Sequence, residues 1–179
     1  MNNMKKLQIM IMSILCFLLP GCSSNSLDYY ASKKQKIDFK SFFSGEVEGW
    51  GALFDYSGRQ TRSFYVTLKG TWNQNKGVLE EWFLFDDGEK TQRRWEIDFA
   101  DESSFTGLAK DVIGQAKGMQ NGGAVNLHYT LSVPYKDSTI DLKMDDWMYA
   151  VEDNVILNRT SMKKFGFKVG ELVLFMKKK

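Results

Sequence analysis

The sequence predicts an all-β fold: one antiparallel barrel of about 8–10 strands. Three observations carry it. Apolar residues recur with period two over most of the chain. Turn-forming residues separate those runs at short spacing. No spacing of 20–50 residues repeats, which excludes a propeller or solenoid. The composition agrees with a globular domain: 179 residues, 43% hydrophobic, 26% charged.

The first 21 residues are expected to be an address. Lys5 and Lys6 precede an apolar run from Leu7 to Leu19, interrupted by Gln8 and Ser13. That run is too short to span a bilayer and has the length of a signal h-region. Leu19-Pro20-Gly21-Cys22 resembles a bacterial lipobox, with Pro20 a departure from the usual small residue. The resemblance implies cleavage and acylation of Cys22, giving several acyl chains and a lasting membrane anchor. By bacterial sorting rules, Ser23 after the cysteine points to the periplasmic face of the outer membrane. The two lysines of residues 1–21, taken from a total of 24 basic residues, leave 22 against 22 acidic ones. Cys16 leaves with the signal, so no free thiol or disulfide is expected.

Residues 22–36, rich in Ser and Lys, read as a tether, and residues 37–179 as the barrel domain. Ile37 to Phe43 is a compact apolar stretch, read as a short helical plug ended near Gly45. Then the alternation begins. Phe64, Val66 and Leu68 share a face. Leu79, Glu81, Phe83 and Phe85 follow on the next strand, then Arg93, Trp95, Ile97 and Phe99. Val125, Leu127, Tyr129, Leu131 and Val133 form a longer run, then Ile140, Leu142 and Met144. Val155–Thr160 and Leu172–Met176 are the last strands. Met162–Phe165, stopped by Gly166, reads as a helical turn before the final strand. Ser57-Gly58, Asn75-Lys76-Gly77, Asp87-Gly88, Ala100–Ser103 and Asn121-Gly122-Gly123 are the turns, and Gly118 is placed with the last of them in a loop. Short connections favour a meander, and a long meander removes its edges by closing. The second faces carry Lys, Arg, Glu and Asn, which argues against a membrane-spanning barrel.

Further motifs carry a family resemblance. Gly49-Trp50-Gly51 is followed by Phe54-Asp55, Phe85-Asp86-Asp87-Gly88 and Gln92-Arg93-Arg94-Trp95. Asp111-Val112-Ile113-Gly114, Asp145-Asp146-Trp147-Met148-Tyr149, Asn158-Arg159 and Lys164-Phe165-Gly166 complete the order. From about Phe42 to Phe175 the pattern resembles a bacterial lipoprotein family catalogued as domain of unknown function 3833. The resemblance implies a lipocalin-like (calycin-type) barrel and a lipid-anchored protein of Gram-negative bacteria. It implies no established activity or site, and it raises lipid-related work as an expectation. Lipocalins proper stack an arginine on the tryptophan of a Gly-x-Trp signature. Gly49-Trp50 is one residue short of it, and Arg159 is the candidate partner.

The candidate ligand site is drawn from the inward faces and from residues beside them. Trp95, Phe99 and Tyr129 are expected to line an apolar pocket. Arg93, on the face of Trp95, needs a carboxylate, supplied by a ligand such as a fatty acid or by Asp111, Asp145 or Asp146. Asp145 and Asp146 abut Trp147, and these three join Trp50 and Arg159 as candidates. Adjacent residues on a strand face opposite ways, so neither Asp-Asp dipeptide is itself a catalytic dyad, and Asp86-Asp87 reads as a turn. The single His128 lies on the outward face, which weighs against a histidine triad. No catalytic residue, cofactor or metal is expected. The balanced charge argues against nucleic acid, which needs a basic face. The leading expectation is a monomeric barrel at the outer membrane that binds a small apolar molecule such as a fatty acyl lipid. The alternatives are a lipid-modifying enzyme using Arg93 with Asp145 or Asp146, and a structural lipoprotein acting through its outer surface.

Overall fold

A computed structural model of the protein describes residues 25–179. The expected signal segment 1–21, with Cys22 and Ser23, lies outside the described residues. Ten strands follow in chain order: β1 (Gly45–Asp55), β2 (Gln60–Asn73), β3 (Lys76–Phe85), β4 (Lys90–Phe99), β5 (Ser104–Ala109), β6 (Val112–Asn121), β7 (Ala124–Tyr135), β8 (Ser138–Glu152), β9 (Val155–Lys164) and β10 (Phe167–Lys178). Each pairs antiparallel with the next, and β1 pairs with β10 to close the barrel. Trp50 thus faces Tyr65 of β2 on one side and Phe175 of β10 on the other.

The alternation read from sequence sets the two surfaces. Phe64, Val66, Leu68, Leu79, Trp95, Ile97 and Leu127 are buried inside. Lys69, Arg94, Glu96, Asp98, Lys117 and Asp141 are exposed outside. A spanning barrel needs an apolar outer band, which these charges interrupt.

The weakest strand signals lie in β5 and β6, where Gly and polar residues dilute the alternation. The glycines there make room for rings. Gly118, read as a loop residue, is a β6 position directly opposite Phe105, and a Cβ on it would sit 2.3 Å from the ring. Gly51 opposite Phe64 and Gly77 opposite Trp72 repeat the arrangement. In each pair an aromatic lies across a glycine and fills the space its missing side chain leaves.

The stretch over Met162–Phe165 also differs from expectation. β9 runs straight through Lys164, which pairs with Phe167. Phe165 (φ 51°) and Gly166 (φ 85°) form a two-residue hairpin turn with positive φ at both centres. The i, i+3 spacing of Met162 and Phe165 mimics a helical turn, and strand pairing overrides it.

The expected plug is helix α1 (Phe39–Phe42), which closes one end of the barrel. Asp38 caps it by accepting from Ser41 N at 2.7 Å. Phe39 N donates to Gln120 Oε1 at 2.9 Å. At the other end of α1, Lys178 Nζ donates to the Ser41 and Phe42 carbonyls at 2.7 and 3.1 Å. Inside, the Phe39 ring packs 4.6 Å from Phe43 and 4.7 Å from Phe105.

Residues 25–36 lie on the barrel wall. A 3-10 turn over Leu27–Tyr30 brings Tyr30 to 5.3 Å from Tyr149. Tyr30 O accepts from Gly123 N, and Asn25 Nδ2 donates to the Tyr149 hydroxyl, both at 3.0 Å.

Gly118→Val sets strand preference against ring overlap. Valine gains at most about 1 kcal/mol in a strand, whereas overpacking costs about 1–3 kcal/mol. Urea denaturation is expected to show net destabilisation, and combining it with Phe105→Ala should make the two changes non-additive.

Candidate functional site

The barrel encloses a cavity of about 360 Å³. Phe39 and Phe43 of the plug form its floor, and Leu53, Phe85, Val133 and Leu172 stand toward the opposite rim. Between them the wall is mostly apolar, since the inward positions of β2, β7 and β8 are mainly Leu, Phe and Met. This matches the usual form of a small-molecule site, an apolar concavity with a few convergent polar groups.

The polar groups form a band. Glu81 of β3 and Arg93 of β4 are cross-strand partners. Asp146 of β8 pairs with Thr160 of β9. All four residues and Tyr129 line the cavity. Arg93 is held by Asp111: its Nε lies 2.9 Å and its Nη2 2.8 Å from Asp111 Oδ2. Arg93 Nη1 is 3.8 Å from Glu81 Oε2. That Glu81 oxygen is buried and accepts no hydrogen bond. Asp146 is 7% exposed and accepts from Asn158 Nδ2.

This crowding of acids in an apolar wall shapes their protonation. Burial pushes Glu81 up to about 7, against the pull of Arg93. Burial pushes Asp146 up to about 6, against hydrogen bonds from Asn158 and Thr160. Burial, reinforced by Asp146, keeps the Tyr129 hydroxyl protonated far above its ordinary range. Burial opposes the charge of Arg93, but the carboxylates of Glu81 and Asp111 outweigh it and hold the guanidinium cationic.

The structure divides the sequence candidates. Arg93, Trp95, Tyr129 and Asp146 meet in the cavity, with Trp95 and Tyr129 edge to face at 5.4 Å. Phe99 points inward but lies in the floor packing, 4.7 Å from Phe105. The other candidates are on the outer wall. Asp145 accepts from Trp147 Nε1 at 2.9 Å, Asn126 Nδ2 at 3.2 Å and Lys163 Nζ at 3.3 Å. Trp147 stacks on Tyr149 at 6.0 Å. Trp50 is 49% exposed beside Tyr65 and Phe175. Arg159 pairs with Glu171, so no Arg159–Trp50 stack forms. The period-two rule separates Asp145 from Asp146, and only the second faces the cavity with Arg93. Of the carboxylates offered as partners for Arg93, Asp111 holds it. Asp86 accepts from Ser63 N at 2.9 Å and Asp87 pairs with Arg62, in keeping with a turn role.

Sequence reasoning missed Glu81, along with Asn158 and Thr160, which also line the cavity. The signal for Glu81 is present, as an acid at an inward position between Leu79 and Phe83.

The raised acids give an unusual pH dependence. Between the ordinary carboxylate range near ~4 and the folded values, the folded state binds more protons than the unfolded one, so stability falls as pH rises. The Glu81 shift corresponds to on the order of 3 kcal/mol. Thermal unfolding midpoints should drop by roughly 5–10 °C from about pH 5 to about pH 7.5. Glu81→Gln should remove most of that drop, and an equal drop in the variant would contradict the assignment.

Comparison with known proteins places this geometry. A family model described as "Protein of unknown function (DUF3833)" matches residues 16–178. No curated protein matches the chain. Among solved structures, the S-type phycobiliprotein lyase CPES from Guillardia theta superposes with a TM-score of 0.58 at 8% identity, over 87% of this chain and 98% of that one. A de novo designed fluorescence-activating β-barrel gives a TM-score of 0.41 at 9% identity, over 80% and 99% of the two chains. The likeness to the lyase shows a shared lipocalin-like barrel. The family match covers nearly the whole chain, and the protein belongs to the DUF3833 family.

Proposed function

We propose that the protein binds or carries a small apolar molecule, such as a fatty acyl lipid, at the periplasmic face of the outer membrane, held there by acyl chains on Cys22. The observation that carries this reading is the cavity: about 360 Å³ inside a closed barrel, floored by the plug and walled by apolar side chains. The lipid specificity and the outer-membrane location rest on the lipobox-like Leu19–Cys22 and on Ser23. The shared fold with a phycobiliprotein lyase is compatible with a barrel built around a ligand.

The anchor also sets an orientation. Cys22 precedes by three residues Asn25, whose side chain holds Tyr149 near the plugged end. Three residues reach at most about 10 Å. Acylation there keeps the plugged end toward the bilayer and turns the opposite rim to the periplasm. Cargo then enters and leaves on the aqueous side, which suits carriage by a monomer.

A second reading has one observation in its favour. Trp50, Phe175, Leu84 and Trp82 are each 39–49% exposed on the outer wall of β1, β10 and β3. Such a patch suits a structural or assembly role through the outer surface. The enzymatic alternative is narrowed to Arg93 with Asp146, since Asp145 points away.

Native mass spectrometry separates these readings. The gently purified protein is expected to carry, or to take up, one small apolar molecule. Leu131→Trp, which fills the cavity from its wall, is expected to abolish uptake while circular dichroism stays that of a barrel. A wild-type protein that stays empty in the presence of apolar probes would contradict ligand carriage and favour the outer surface.

A further inference from the structure

The polar band inside the cavity bears on which end of an amphiphile it accepts. Among the described residues lining the cavity, Arg93 is the one cation, and Asp111 already holds two of its three guanidinium nitrogens. Its Nε and Nη2 both lie within 3 Å of Asp111 Oδ2, and its Nη1 faces Glu81. Around it stand the acids Glu81, Asp111 and Asp146. A ligand anion would meet Arg93 either at Nη1, against the buried Glu81 oxygen, or by displacing Asp111, and in both places with Asp146 lining the same space. That would add a negative charge where the apolar wall already disfavours the ones present.

The acceptors, by contrast, have capacity to spare. Glu81 Oε2 is buried without a hydrogen-bond donor, and a buried acceptor left unpaired is costly. Asp146 and Tyr129 line the same space. A hydroxyl, amide or ammonium group placed in the band would supply donors to the Glu81 and Asp146 carboxyls, and its apolar chain would lie along the Leu, Phe and Met wall.

We infer that the cavity selects amphiphiles whose polar end is a hydrogen-bond donor, neutral or cationic, and rejects free carboxylates such as unesterified fatty acids. This deepens the ligand-binding reading and rests on it. It also changes the role expected for Arg93, which serves as an internal counter-ion for Asp111 and Glu81 and does not receive a ligand carboxylate.

A chain-length-matched series tests it. Dodecylamine, dodecanol and dodecanoate bury the same alkyl chain and differ only at the polar end. Isothermal titration of the full-length protein at about pH 8, below the aggregation limit of each probe, is expected to show the amine and the alcohol binding at least about tenfold more tightly than dodecanoate. In the Glu81→Gln/Asp146→Asn double variant, the amine should lose its advantage over the alcohol, and dodecanoate should gain. Dodecanoate binding as tightly as the other two in the wild type would overturn the inference and leave the ligand-binding reading standing. Failure of all three to bind would overturn both. The wild-type series decides the matter even if the double variant does not fold.

Discussion

The ladder between β1 and β10 is the constraint on which the rest of the structure depends. By joining the first strand to the last, from Val47–Lys178 to Asp55–Gly170, it removes both edges of a ten-stranded meander. Closure gives every strand one inner and one outer face. It also brings Lys178 beside α1, where its ammonium group caps the plug carbonyls. The closed sheet, the floor of the cavity and the terminal strand are therefore one cooperative arrangement.

Closure leaves the interior with opposing demands. The Gly77–Trp72 and Gly118–Phe105 pairs and the phenylalanines of the plug fill the lower barrel, where Phe43 is almost wholly buried. Above them the packing stops short of filling the space, and polar groups enter the wall. A protein selected for stability alone would place apolar residues at Glu81, Arg93 and Asp146, since burying a charged network rarely stabilises more than good packing. Unfilled space and unfavourable charge occur together at one height of the barrel, and that coincidence is the strongest physical sign of a site.

Much of this is legible in the sequence. Period-two alternation assigns the inner face of β2, β3, β4, β7 and β8 correctly, and it shows that Arg93 needs a partner such as Asp111. The glycine-rich β5 and β6 are hard to read because Gly107 and Gly118 signal loops locally. Their purpose emerges only when Trp95 and Phe105 lie across them from neighbouring strands. The Met162–Phe165 turn misleads for a related reason, as two apolar residues at helical spacing bracket the end of a strand. The site divides along the same line. Trp95, Tyr129 and Asp146 follow from strand parity, whereas Trp50, Trp147 and Arg159 stand out by residue type and lie outside. Glu81 reads onto the correct face, but its importance depends on cross-strand register with Arg93, which no single strand reveals.

The central claim is that the cavity wall holds an acid near its point of ionisation beside an arginine already engaged by the protein. A carbon-13 NMR titration of the Glu81 side-chain carboxyl tests this most directly. The account predicts a midpoint near about 7, as burial outweighs Arg93. A midpoint in the ordinary glutamate range, near ~4.3, would mean that Glu81 is solvated or firmly paired and would contradict the account.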